Sequence, residues 1–495
     1  FIDENETLEF IKLMKKNLEL EETKRKYEKS YKHEIFEIVI EDSKAKEKYN
    51  NLIKDLLDKN SKKLVMESIH EELDNIRNNI SNGYDKNIIS NKIENLIDNI
   101  KDNLMNKKTF SLRNVVNASG VVIHTNLGRS VLNSEIFENI KKVSIGYSNL
   151  EYNLEKGERG SRYSHLSEII KKITGAEDCM VVNNNAAAVM LILSTIAKGK
   201  NVITSRSELV EIGGSFRIPD VCRESGAELK EIGTTNKTHL RDYENAIDEN
   251  TAALFKVHQS NFKILGFTEA VSSFELKSLK EKYNIPIIED LGSGVLIDLS
   301  KYGLSHEPTV QECIKNGVDI VSFSGDKLLG GVQAGIIVGK KEYIEKMKKN
   351  QLTRALRVDK FTLSALEAVF SYYIDEELAI SKIPTLNMLT IKIEKLYDKA
   401  QKLIEYLGEN NEFSYAIIDI DSEVGAGSLP TQKLPSKAIK VISKSFTENE
   451  LEEKLRSNRI PIITRIYKGN LIFDVRTIFE NEFCIIKDAL NSLIG

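Results

Sequence analysis

The chain has 495 residues, 41% of them hydrophobic and 29% charged, with a formal net charge of −4. That length exceeds one small core and sets an expectation of two or three domains, while the charge gives no global attraction for nucleic acid or anionic membranes. No apolar run approaches the roughly 20 residues of a membrane span, no signal-peptide pattern opens the chain, and the four cysteines form no CxxC pair, so a cytoplasmic protein with reduced thiols and no metal site is expected.

Residues 1–110 hold 21 basic and 23 acidic residues, one glycine (Gly83) and no proline. Leu52, Ile53, Leu56 and Leu57, and then Ile89, Ile93, Leu96, Ile97, Ile100 and Leu104, recur at the spacing of one buried helical face. A small helical domain is expected, and its balanced charge excludes a plain polycationic RNA arm. From Asn114 short apolar runs alternate with helical stretches and glycine turns: CMVV at 179–182, NVITS at 201–205, PIIED at 286–290, DIVSF at 319–323 and GIIVG at 335–339. This alternation predicts an α/β domain over 111–372, built on a mostly parallel sheet covered on both faces. Residues 373–495 begin with one long helix-like stretch and end in VISKSF, PIITRI and NLIFDVRTI, which predicts a smaller α+β domain.

Three features of the middle domain suit an enzyme using pyridoxal 5′-phosphate. The run CMVV leads into Asn183, Asn184, Asn185 and Ala186 at a helix start, where exposed N–H groups and the helix dipole favour an anion such as the cofactor phosphate. The run PIIED ends in Asp290, a carboxylate able to pair with a protonated pyridine nitrogen and keep the ring electron-poor. One βα unit later comes SFSGDKLLGG, with Ser324 for the phosphate and Lys327 for the Schiff base, which needs a desolvated amine. Each feature alone also reads as an ordinary turn, cap or surface lysine; their order and spacing together favour the cofactor site. Arginines at 129, 159, 162, 217, 354 and 357 stand beside glycines and small residues in a lysine-rich chain. A rigid fork there suits carboxylate or phosphate oxygens, with structural ion pairing as the alternative for Arg159 and Arg217.

The segments NASGVVIHTNLGRS, NLEYNLEKGERGSRYSH, VVNNNAAAVMLIL, SRSELVEIGGSFRIPD, KVHQSNFKILGF, EDLGSG, SFSGDKLLGGVQAG and TRALRVDKFTL, with VGAGSLPTQKLPS and PIITRIYKGNLIFDVRT further on, resemble the bacterial selenocysteine synthases over roughly residues 111–480. The resemblance implies a fold-type I pyridoxal-phosphate enzyme that converts L-seryl-tRNA(Sec) to L-selenocysteinyl-tRNA(Sec). It implies β-elimination of water to an aminoacrylyl-tRNA, then addition of selenium from selenophosphate. Lys327, Asp290 and Asp326 are the implied catalytic residues, and Asn184, Asn185, Ala186, His258, Asn261, Ser324 and Lys327 the implied cofactor site. A buried, satisfied histidine is the alternative for His258. Arg129, Arg354 and Arg357 are implied at the selenophosphate, with Arg162 and Arg217 as further substrate-binding candidates. A homo-oligomer is expected, at least a dimer and, by the resemblance, a ring of dimers, with the helical domain holding the tRNA. Glu208 and Glu211 occupy the region where such enzymes often carry a ring-stacking aromatic, and no aromatic stands there. The competing readings are a lyase using the same cofactor on a free amino acid or amino-sugar acid, and a cofactor-free RNA-binding scaffold.

Overall fold

The computed structural model describes residues 55–494 apart from 86, 89, 90, 93, 94, 109 and 215, and the chain divides into two compact units, 1–113 and 114–495. In the first unit, α1 (Lys62–Ser81) and α2 (Leu96–Lys108) pack through Val65, Ile69, Ile100 and Leu104, flanked by the half-buried Leu56, Leu57, Leu73 and Leu96. The periodic positions of the sequence therefore face one seam, and each fully buried side chain of this kind contributes about 1.5–3 kcal/mol. Leu52, Ile53, Ile89 and Ile93 lie outside the described residues.

The second unit is built on a seven-stranded sheet of β1 (Asp178–Val182), β2 (Asn201–Ser205), β3 (Glu228–Ile232), β4 (Thr251–Val257), β5 (Ile287–Gly292), β6 (Ile320–Ser324) and β7 (Gly335–Gly339). Their spatial order is β1-β7-β6-β5-β4-β2-β3, and all pairs are parallel except those made by β7, which runs against β6 and β1. Every residue of β1, β5, β6 and β7 is buried, because apolar clusters cover both faces and leave no solvent side to demand alternation. The helix α3 (Asn185–Ile196) follows β1 and is apolar nearly all round, as a helix seated inside such a layer must be.

Two sequence expectations change in detail. β5 does not stop at Asp290 but runs to Gly292, with a register shift between the two that turns the backbone where it meets β6. The single long helix expected after Tyr372 is three: Glu376–Lys382, Pro384–Thr390 and α4 (Ile393–Leu407). Pro384 has no N–H to continue the preceding helix and holds Ile383 in an extended conformation, so one helix ends and the next begins there. Beyond them, β8 (Phe413–Glu423), β9 (Lys433–Ser443), β10 (Arg465–Tyr467) and β11 (Asn470–Asp474) form an antiparallel sheet in the order β8-β9-β11-β10. α4 buries Leu396, Ala400, Leu403 and Leu407 in the apolar cluster that holds Ile439, Val441, Leu471 and Phe473. Val116–Asn117 pairs in parallel with Ile462–Ile463, which ties the first residues of this unit to its last third.

Candidate active site

Three segments that leave neighbouring strands converge on one place. After β1, the Asn183 N–H donates to the Leu356 carbonyl at 3.0 Å, and Asn184 caps α3 by accepting from the Ala187 N–H at 2.8 Å. A Cβ at Gly335 would lie 2.1 Å from the Asn184 carbonyl oxygen, so only glycine lets β7 pass this close beneath the turn. The first N–H groups of a helix have no partner within it; in α3 that of Ala187 is taken by the Asn184 side chain, and such a helix start favours an anion.

Asp290, only 3% exposed, anchors the second segment. Its Oδ1 accepts from Asn185 Nδ2 at 2.7 Å, the Gly292 N–H at 3.0 Å and Ser322 Oγ at 3.4 Å, while Oδ2 accepts from none of the described residues. Burial pushes this carboxyl above its ordinary pKa, and the hydrogen bonds from Asn185 and Gly292 and the charge of Lys327 pull against that.

The third segment follows β6. Ser324 and Lys327 are both 6% exposed, and neither side chain makes a hydrogen bond or ion pair with the described residues. Burial drives the Lys327 pKa below its ordinary value; the charge of Arg129 lowers it further, and Asp290 and Asp326 oppose. Arg129 reaches this loop with a left-handed backbone, φ 64°, unusual for a residue with a side chain. Its guanidinium lies 2.6 Å from Asp326 Oδ2, and the Ser130 N–H donates to the Asp326 carbonyl at 3.3 Å. The Arg129 turn is thus pinned beside the lysine.

Arg354 and Arg357 are exposed, without a hydrogen bond or ion pair to the described side chains. Arg357 forms an isolated antiparallel bridge with Val182, which sets it at the end of β1 beside the asparagine turn. Arg162 and Arg217 are engaged differently. Arg162 is half-buried, donating to Glu151 at 2.9 Å and to the Val358 carbonyl at 2.6 Å, while Arg217 pairs with Glu211 at 2.8 Å on the surface. Asn261 donates to the Glu211 carbonyl at 3.2 Å, and its Oδ1 is buried without a partner.

His258, the first residue after β4, donates its backbone N–H to the Asp290 carbonyl at 2.8 Å, and its Nε2 lies 2.8 Å from Glu307 Oε2. Glu307 was not found from sequence, and no local pattern marks it: it stands 49 residues from its partner. Glu208 forms a buried pair with Lys256 at 2.8 Å and accepts the Val257 N–H at 3.1 Å.

The groups left without partners fit pyridoxal phosphate. The helix start at Asn184–Ala186 suits an anion, Asp290 Oδ2 accepts no hydrogen bond from the described residues, as pairing with a protonated ring nitrogen would require, and Asn185 Oδ1 is buried without a donor among them. Lys327 supplies a desolvated amine in the same site. Among the described residues no cluster able to hold a metal ion occurs, and no helix is long and apolar enough to cross a membrane.

Comparison with known proteins bears on the same region. The family profile of L-seryl-tRNA selenium transferase (SelA) matches residues 115–479. The L-seryl-tRNA(Sec) selenium transferase of Clostridium botulinum (strain Loch Maree / Type A3) is 54% identical over 444 residues, 90% of this chain and 96% of that protein. The protein of the same description from Alkaliphilus oremlandii (strain OhILAs) is 59% identical over 390 residues, 79% of this chain and 84% of that protein. Among solved structures, D-glucosaminate-6-phosphate ammonia-lyase superposes with a TM-score of 0.54 at 20% identity, over 77% of this chain and 96% of that one, which shows a shared fold.

Proposed function

The chain belongs to the L-seryl-tRNA selenium transferase family, and from that premise we propose how its own residues convert L-seryl-tRNA(Sec) to L-selenocysteinyl-tRNA(Sec). The observation that supports this assignment of roles is Lys327: an amine 6% exposed, with no hydrogen-bond or ion-pair partner among the described residues, under the charges of Asp290, Arg129 and Asp326. Bound pyridoxal phosphate supplies a ring that withdraws electrons from the seryl α-carbon. The turn Asn184–Asn185–Ala186 and the Ser324 hydroxyl would hold its phosphate, and the Asp290 carboxylate would pair with its ring nitrogen and favour the protonated form. Lys327, held toward its neutral form by burial, takes the α-proton and returns a proton to the departing β-hydroxyl, which leaves as water. Arg129, Arg354 and Arg357 bind the anionic selenium donor, selenophosphate, and Asp326 positions the Arg129 fork from 2.6 Å. Arg162 and Arg217 act on the substrate only indirectly, through the loops they tie down.

The helical unit holds the tRNA, and the enzyme works as a homo-oligomer, at least a dimer. Large exposed apolar side chains on the second unit, among them Ile145, Tyr147, Leu154, Leu265 and Phe267, support such an assembly. Removing residues 1–105 is expected to leave cofactor binding intact and abolish tRNA binding; full-strength binding of Ser-tRNA(Sec) by the shortened protein refutes that role.

The decisive test mixes the cofactor-loaded protein with Ser-tRNA(Sec) and selenophosphate and detects the aminoacyl product by mass, with Lys327→Ala as control. Selenocysteinyl-tRNA made by the wild type alone is the expected result. Cofactor bound without turnover of the tRNA would instead favour a lyase acting on a free amino acid.

A further inference from the structure

We propose that Glu307 is a positioning residue that turns His258 into a cationic hydrogen-bond donor toward the ring-edge oxygen of the bound cofactor. The inference rests on the cofactor reading above and concerns a residue that the sequence alone does not mark.

The geometry begins with the backbone. The His258 N–H donates to the Asp290 carbonyl at 2.8 Å, so the histidine is fixed beside the carboxylate assigned to the ring nitrogen. Its imidazole has one nitrogen, Nε2, at 2.8 Å from Glu307 Oε2, and the other, Nδ1, without a partner among the described residues. Glu307 comes from the loop between the turn Leu299–Tyr302 and the helix Val310–Lys315, and is 8% exposed.

The charges around the imidazole decide its state. Besides Glu307, the charged groups that face it are Glu289 of β5 and Lys256 of β4. Lys256 is matched by Glu208 at 2.8 Å, and Glu289 accepts from the Ser273 hydroxyl at 2.6 Å. Glu307 has no other cationic partner among the described residues. A neutral histidine would leave that carboxylate buried and uncompensated, at a cost of several kcal/mol. Burial alone lowers the His258 pKa, but the hydrogen bond and charge of Glu307 outweigh it and the net direction is upward. An imidazolium donates from both nitrogens, so with Nε2 held by Glu307 the Nδ1–H remains for an acceptor oxygen. Pyridoxal phosphate carries one such oxygen on its ring, and it takes negative charge when deprotonated.

The test is a pH titration of the visible absorbance of full-length protein loaded with pyridoxal phosphate. A cationic donor stabilises the ring oxyanion, so Glu307→Gln should raise the midpoint by about one pH unit, a tenfold change in the proton equilibrium. Glu307→Asp should recover part of the shift. His258→Phe should raise the midpoint as well, and Glu307→Gln should add nothing in the His258→Phe background, because the carboxylate acts through the histidine. An unshifted Glu307→Gln midpoint, or an equal shift with His258 absent, overturns the proposal. If Glu307→Gln fails to fold, His258→Gln decides: a wild-type midpoint there also overturns it. Failure of the wild type to bind the cofactor would sink the cofactor reading instead, and turnover of the tRNA is not part of this readout.

Discussion

Lys256 and Lys327 are both lysines of the central sheet region, 8% and 6% exposed, and they have opposite fates. Lys256 gives its amine to Glu208 at 2.8 Å and to the Val271 carbonyl at 2.7 Å; burial lowers its pKa, but the charges of Glu208 and Glu289 more than offset this and the net direction is upward. Lys327 has no such partner among the described residues, and its pKa moves down. Similar burial thus goes with a fixed cation in one region and an amine shifted toward its neutral form in the other, and the difference follows from the carboxylate and carbonyl within hydrogen-bond reach of Lys256 and from the charge of Arg129 near Lys327. The same contrast separates the arginines: the half-buried Arg162 is occupied by Glu151 and Val358, whereas Arg354 and Arg357 stand exposed, without an ion pair to the described residues.

The sharpest way to break the comparison is to exchange the lysines' consequences. Lys327→Ala should reduce turnover of Ser-tRNA(Sec) by at least about 10³-fold, the scale of lost acid–base catalysis, while the melting temperature stays equal to or above wild type because no ion pair is removed. A large fall in melting temperature would mean that Lys327 is structural. Lys256→Met should do the reverse. It leaves Glu208 buried and unpaired, which should lower unfolding stability by about 3–5 kcal/mol in a denaturant titration. Adding Glu208→Gln should restore most of that loss, since glutamine still accepts the Val257 N–H without a charge. A Lys256→Met protein as stable as wild type would show that the pair contributes nothing.

The smallest expected effect is on pH dependence, and the two lysines contribute with opposite sign. Lys256 has a raised folded pKa, so its contribution is complete below the ordinary lysine value and fades as pH climbs through the folded one. Lys327 has a lowered folded pKa, so between that value and the ordinary one the unfolded chain binds more protons and stability rises with pH. Comparing the alkaline stability slopes of Lys256→Met and Lys327→Ala with wild type checks both signs: the first variant should lose a downward slope and the second an upward one.

The placement of the candidate site residues was largely legible in the sequence. Asn184, Ser324 and Lys327 stand at or just past strand ends and Asp290 two residues before one, in chain order, and a parallel sheet brings its strand ends to one edge whatever the connecting helices contain. The break at Pro384 is marked in the sequence by the proline itself, but the flanking apolar positions continue the helical period on both sides and mask it.

What the amino-acid order determined by itself is local: apolar period, turn residues, the spacing of cradle, carboxylate and lysine, and the long motifs shared with relatives. Only the tertiary structure decided which polar groups are paired. Glu307 meets His258 from 49 positions away, Glu208 meets Lys256 from 48, and Arg129 meets Asp326 from 197. Periodicity reaches across a few residues, while these pairs depend on which strands lie side by side and how the loops fold back over their ends. The order β1-β7-β6-β5-β4-β2-β3 sets those neighbours, and with them which buried lysine meets a carboxylate and which has no hydrogen-bond partner among the described residues.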